Sequence, residues 1–381
     1  MSDTVEYEAW RQARWEEMAG PEGKANVVAR GMISGPSLQT LPDIPGQWST
    51  TEAGGLTVTA TASDGVVVEG KPVDGTVDVL PGGRLEFHSG RTGSIGGGDG
   101  AYGLIVMDHT AVARSGLSDI LAYPYDPAWV LEGEYRAAPP ERAIEVDRLT
   151  VPRTQDTIPA PVDLVVTING EEHVLAVLED LPGRRLVIFT DGTSGSSTPE
   201  IGRWLLLPPL EPGSTVPVEF NRTTLSQNHF SPPVYTCPLS PPGNHLPMRI
   251  EAGERALAYQ STKDKAIQYL RHLENRDFAG ARAMCSAAAT VWHNDGKGDE
   301  TIDENINGMK AQIHTMESMR YDVLRQLSDG DEVLQQHVVH VATTSGMRGE
   351  VHAAVYFRFD GGLISRIEEY ANFVPVGQET S

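Results

Sequence analysis

Turns interrupt most of this chain so often that it cannot be built from long helices. Gly55 to Gly90 reads GLTVTATASDGVVVEGKPVDGTVDVLPGGRLEFHSG, short runs of alternating apolar and polar residues cut by DG, GK and PGG. A period of two puts the apolar side chains on one face of a strand, and glycine tolerates the left-handed backbone that tight hairpins need. Ala160 to Gly192, APVDLVVTINGEEHVLAVLEDLPGRRLVIFTDG, continues the pattern, with NG marking a hairpin. The 39 glycines and 26 prolines of the 381 residues fit turn-rich β structure better than a bundle. The pattern predicts an antiparallel β-barrel or sandwich from about residue 47 to 250. A helix over 4–19 precedes it, with Val5, Trp10, Ala13 and Met18 at roughly helical spacing. Gly93 to Gly100, GSIGGGDG, lacks the GK[ST] ending of a phosphate loop and is expected to be a flexible loop.

After a proline-rich stretch the texture changes near Tyr259. Ile267, Leu270, Leu273 and Phe278, then Ala281 and Met284, recur at helical intervals, with Ser261 or Thr262 placed to cap. A further helix is expected in DENINGMKAQIHTM, followed by four strands ending at LISRIEEYANF. This order, helices and then strands, defines an α+β unit. The reading is therefore two domains, 1–258 and 259–381, with GQETS as a disordered tail.

The formal net charge of -22 sets aside nucleic acid and anionic membrane as partners, since no basic patch offsets it. The first residues, MSDTVEYEAW, lack the basic and apolar segments of a signal peptide, and no stretch is apolar enough to span a membrane. A cytoplasmic protein is expected. The two cysteines, Cys237 and Cys285, lie in different predicted domains and form neither a disulfide framework nor a zinc spacing.

Trp292, His293, Asn294 and Asp295 stand side by side where an apolar run becomes a loop. Imidazole titrates near neutral pH and suits general acid–base work. In an extended strand Asp295 falls on the same face as His293, where it would fix the tautomer or act as the base, and Trp292 points to the other side. Tyr269 offers a phenol able to donate to a developing oxyanion. His337, His340 and His352 lie on predicted strands, too divergent in parity to be expected to hold a metal. Near the last strand's end, Glu368 and Tyr370 share one face and Glu369 takes the other. Asp191, Thr193, Ser194 and Arg203 form a polar centre in the β region, with Asn221 and Glu254 beyond. GTSG fails the serine nucleophile elbow, and a buried structural pair of Asp191 and Arg203 is the simpler expectation.

Residues 262–374 resemble the cone-shaped α+β family of nuclear transport factor 2, ketosteroid isomerase and SnoaL-like polyketide cyclases. VYFRFDGGLISRIEEY is similar to the family's penultimate hairpin. YLRHLENRDFAGARAMCSAAATVWH pairs with ketosteroid isomerase without a gap, which implies an oxyanion-binding role for Tyr269 and places His293 on the catalytic base. The isomerase's second oxyanion acid falls on Val355, which cannot donate, so the same reaction is not expected. The β region resembles the DUF1684 family through WRQAR, FTDGTSGSSTPEIGRWL, VEFNRT and CPLSPPGNHLPMRIEAGE, and departs from it in TTLSQNHFSPPVYT.

Together these readings predict a cofactor-independent acid–base enzyme of isomerase, cyclase, dehydratase or lyase type, acting on a small apolar carbonyl-containing metabolite. His293, Asp295 and Tyr269 would carry the chemistry; Trp292, Asn294, His337, Glu368 and Tyr370 would bind substrate; no metal or cofactor is expected. The resemblance implies secondary metabolism and a homodimer. The competing expectation is a cone that binds a ligand or dimerises without catalysis, any chemistry then lying in the β region.

Overall fold

The computed structural model describes residues 3–375 except 53, 140 and 233, so the predicted GQETS tail lies outside the described residues. The chain divides into two compact units, Met1–Ala111 with Asp119–Ala258, and Val112–Ser118 with Tyr259–Ser381.

The first unit is a helix followed by antiparallel sheet. The helix spans Asp3–Ala19, close to the predicted bounds. Strands begin earlier than the alternation suggested, at Val27–Ser34. A sheet of Gln39–Leu41, Ile44–Thr50, Leu56–Ala60 and Gly75–Val79 buries Trp48, Leu56 and Val58 on its inner face. A larger sheet built around Val162–Ile168, Glu171–Leu181 and Arg184–Asp191 packs a second core, including Leu164, Val187 and Phe189. Asn169 and Gly170 both have positive φ, 54° and 84°, and close a two-residue hairpin between Ile168 and Glu171.

The expected flexible loop at Gly93–Gly100 is corrected. Thr92–Gly98 is a strand paired with Ala101–Met107, and Asp99 and Gly100, at φ 52° and 79°, make the turn. Asp-Gly between two strands is a hairpin signal that the glycine richness of the stretch had masked.

The second unit is α+β. Helix Thr262–Glu274 starts at a reciprocal cap, Ser261 with Asp264, and buries a stripe of Ala266, Tyr269, Leu270 and Leu273. Phe278–Ala283 is a short second helix. The third, Ile302–Gln312, is capped by Thr301 and Glu304. A strand, Cys285–His293, separates the second helix from the third, so the order is not three helices followed by four strands.

The sheet runs Asp299–Thr301, Cys285–His293, Leu363–Pro375, Arg348–Asp360, Glu332–Thr343, Met316–Asp329. Only the pairing of Cys285–His293 with Leu363–Pro375 is parallel, and it sets Trp292 beside Glu368 and His293 beside Glu369. The inner face packs Val355, Phe357 and Ile367 against Leu270 and Leu273. Burial of each such side chain stabilises by roughly 1.5–3 kcal/mol.

Candidate functional site

A cavity of about 200 Å³ opens inside the second unit, with walls supplied by the first helix, the third helix and the inner face of the sheet. Most of its lining is apolar, including Leu270, Val291, Val355, Phe357 and Ile367. Tyr269, His293, Tyr321, His337 and Glu369 bring polar atoms to it.

His293 is the last residue of its strand, and the parallel register places Glu369 alongside. His293 Nε2 lies 3.2 Å from Glu369 Oε2, and Nδ1 lies 3.6 Å from Glu300 Oε1. The hydrogen bond to Glu369 raises the His293 pKa above its ordinary value, against the opposing effect of burial; the charges of Glu369, Glu300 and Asp295 add to the rise. The protonated form of the imidazole is thus favoured beside Glu369.

Tyr269 projects from the first helix and is 3% exposed, its ring edge-on to Phe357 with centroids 6.0 Å apart. Burial pushes its phenol well above the ordinary range, and the Glu369 carboxylate contributes in the same direction. The hydroxyl thus keeps its proton and serves as a donor. Tyr321, beside it, is raised by the same two causes, burial first. His337 is 2% exposed on the strand Glu332–Thr343, and burial lowers its pKa, so it is neutral.

Several expected site residues lie elsewhere. Asp295 is corrected: the strand ends at His293, and Asp295 begins a turn in which its Oδ1 accepts from the Lys297 N–H at 3.0 Å and its Oδ2 pairs with Lys297 Nζ at 2.7 Å. Asp followed by Gly favours that side-chain turn over further extension. Asn294 does not face the cavity either. Its amide donates to Ala371 O and accepts from Ala371 N–H, both at 3.2 Å, and so prolongs the ladder beyond the strand end.

Trp292, Glu368 and Tyr370 occupy the opposite face of the sheet. Trp292 and Tyr370 pack ring to ring at 5.0 Å, and Glu368 pairs with Arg366 at 3.0 Å. Glu369 is the residue missed. Strand parity separates it from Glu368, and the same parity groups it with the buried Ile367, which was the signal available in the sequence. His340 and His352 also face away from the cavity, bonded to Asp322 and Glu350. Among the described residues no group of His, Cys, Asp and Glu is arranged to hold a metal.

The polar centre of the first unit is closed on itself. Arg203, 1% exposed, donates to Asp191 Oδ2 at 2.6 Å and to the carbonyls of Ala252 and Ile250 at 2.5 and 2.8 Å. The Thr193 N–H and hydroxyl both donate to Asp191 Oδ1. Glu254 accepts from Arg14 at 2.9 Å and from the Leu225 N–H at 2.7 Å. Asn221 brackets the backbone of Asp126, and Asn244 ties Ala176 to Ile188.

Comparison with known families fits this division. Residues 115–255 match the model of a protein family of unknown function, DUF1684, and residues 266–367 match the SnoaL-like domain. The chain thus joins a DUF1684 region to a SnoaL-like domain. No curated protein matches. Similar solved structures include an uncharacterised protein of Haloarcula marismortui, at 22% identity over 36% of this chain and 77% of that one, with a TM-score of 0.31. An LEH-like epoxide hydrolase of M. tuberculosis is similar at 17% identity over 29% of this chain and 82% of that one, TM-score 0.27. AclR, a putative hydroxylase from Streptomyces galilaeus, is similar at 14% identity over 29% and 74%, TM-score 0.27. No helix among the described residues is long and apolar enough to cross a membrane.

Proposed function

We propose that the SnoaL-like domain is a cofactor-independent acid–base catalyst for a small, mainly apolar molecule bearing a carbonyl or equivalent electron sink. The observation that carries this reading is the His293–Glu369 pair, set side by side by strand register and lining an otherwise apolar cavity. A cavity of about 200 Å³ lies below the roughly 300–1,000 Å³ of drug-sized sites, so the substrate is small.

Glu369, hydrogen-bonded to His293, takes a proton from the carbon next to the carbonyl. The C–H bond breaks, its electron pair moves onto the carbonyl oxygen, and the proton resides on the Glu369 carboxyl. Tyr269 donates to the resulting oxyanion, an effect worth roughly 3 kcal/mol when the donor is preorganised. Return of the proton to another carbon, or loss of a leaving group, gives the isomerase, cyclase, dehydratase and lyase outcomes from one core.

Proton abstraction can be tested before the natural substrate is known. Small cyclic ketones such as cyclohexenone and tetralone, incubated with the full chain in deuterium oxide, would exchange their α-protons faster than in buffer, as read by NMR. Exchange at the buffer rate across such a panel, or exchange that survives Glu369→Gln unchanged, counts against the reading.

A further inference from the structure

A chain of side-chain amides runs through the second unit to the cavity and fixes the polarity of one of its walls. Gln326 Nε2 lies 2.9 Å from the backbone carbonyl of Lys263. A carbonyl only accepts, so the amide nitrogen of Gln326 is the atom facing it. The same nitrogen donates to Gln335 Oε1 at 2.6 Å. That contact orients the second amide in turn: the oxygen of Gln335 is committed to Gln326, and its nitrogen is the atom turned to His337 Nδ1, at 3.4 Å. An N–H group facing Nδ1 is compatible only with a lone pair there, because two donors would otherwise confront each other without an acceptor. Gln335 is fully buried, so no solvent is at hand to relieve such a clash.

The neutral imidazole of His337 has one proton, and with Nδ1 accepting it must sit on Nε2. His337 Nε2 is buried and has no hydrogen-bond partner among the described residues. Buried donors are nearly always satisfied, and an unsatisfied one calls for a ligand or other missing partner. His337 is among the residues that line the cavity, which makes an occupant of the cavity the candidate for the missing acceptor.

We propose that Gln326 and Gln335 are positioning residues that lock His337 as a neutral Nε2–H donor, and that the ligand of this cavity presents an acceptor oxygen to it. His337 then joins Tyr269 as a second donor to the carbonyl or enolate oxygen. The tautomer stands independently of the reaction; the role in turnover rests on the acid–base reading above.

The test begins with long-range nitrogen–proton NMR of the imidazole rings in the full chain. The expected result is a single His337 tautomer with a pyrrole-like Nε2 and a pyridine-like Nδ1. A proton on Nδ1, or an even mixture, overturns the proposal whatever the protein's activity. Gln335→Glu is the decisive variant. Its carboxylate would draw a proton onto Nδ1, giving the reversed tautomer or an imidazolium, and unchanged nitrogen shifts overturn the relay. Gln335→Met, which removes the polar partner at similar volume, would release the ring to a mixture, and a retained single tautomer there has the same overturning force. In the α-proton exchange assay, His337→Phe is expected to slow turnover about a hundredfold, with part of the loss restored in His337→Gln, which can still donate. Exchange by His337→Phe at the wild-type rate overturns the second-donor role. A correct tautomer together with exchange insensitive to Glu369→Gln would instead sink the proton-transfer reading and leave the amide chain standing.

Discussion

The two units each bury a cluster of polar groups, and the clusters are opposites. Around Asp191 and Arg203 the polar groups answer one another: carboxylate oxygens meet a guanidinium, a backbone N–H and a hydroxyl, and the guanidinium's other donors meet carbonyls. Around Glu369 the groups line a cavity, and His337 Nε2 has no partner among the described residues. Both clusters lie in stretches that look like motifs. The Asp191–Arg203 centre is accounted for by what it holds together, although Thr223 Oγ1 of VEFNRT has no partner among the described residues; in the second unit the open hydrogen bond, at His337 Nε2, belongs to a residue that lines the cavity. A motif that closes its own bonds is architecture; one that leaves them open beside a cavity is a candidate for chemistry.

The contrast breaks most readily at its structural end. Asp191→Ala strands a guanidinium that is almost wholly out of water, and removal of one partner from such a pair typically costs about 3–5 kcal/mol. Denaturant titration is expected to show that loss in the transition of the first unit. A loss below about 1 kcal/mol, the range of surface ion pairs, would mean the centre is not the staple described.

At the other end, Glu369→Gln keeps the shape of the side chain and removes the base. General acid–base groups contribute about a hundredfold to ten-thousandfold, so α-proton exchange should fall by at least the lower figure. The stability of the chain should move far less than in Asp191→Ala. Were Glu369→Gln to unfold the domain and leave the residual exchange intact, the two clusters would have traded roles.

Asp295→Asn gives a smaller, sharper discrimination. Asp295 is engaged with Lys297 in an exposed turn, so exchange should remain within about twofold of wild type, as for surface substitutions away from special features. A loss comparable to that of Glu369→Gln would restore Asp295 as partner of His293.

Residue parity explains how much of this was legible. Alternation and turn chemistry gave both fold classes, and helical spacing placed Tyr269 on a buried stripe. Alternation also carries Val333, Gln335 and His337 onto one buried face, which meets the cavity at His337. The same rule groups Glu369 with Ile367 and separates it from Glu368 and Tyr370, the two expected to bind substrate. What local pattern could not provide was the parallel register between Cys285–His293 and Leu363–Pro375, residues far apart in sequence. Nor could it show that the strand stops at His293: carrying the extended geometry two residues further assigned Asp295 to a face it never reaches. Long-range pairing and strand ends are set by tertiary contacts.

The smallest effect concerns pH. The folded-state pKa of His293 is raised above its unfolded value, chiefly by Glu369. A raised pKa means the folded state holds the proton more tightly. Its contribution to stability is fully present below about pH 6.5, the unfolded value, and is lost as pH climbs through the folded value. Glu300, and Asp295 through its charge alone, add to the rise, so Glu369→Gln should reduce the effect without abolishing it. The measurement is the stability difference between wild type and Glu369→Gln from about pH 6 to about pH 9, since titrations elsewhere in the chain cancel in the difference. Wild type should lose its advantage as pH rises. Parallel stability profiles would show that Glu369 does not hold the proton on His293. The comparison between the two clusters would then rest on the unpaired His337 alone.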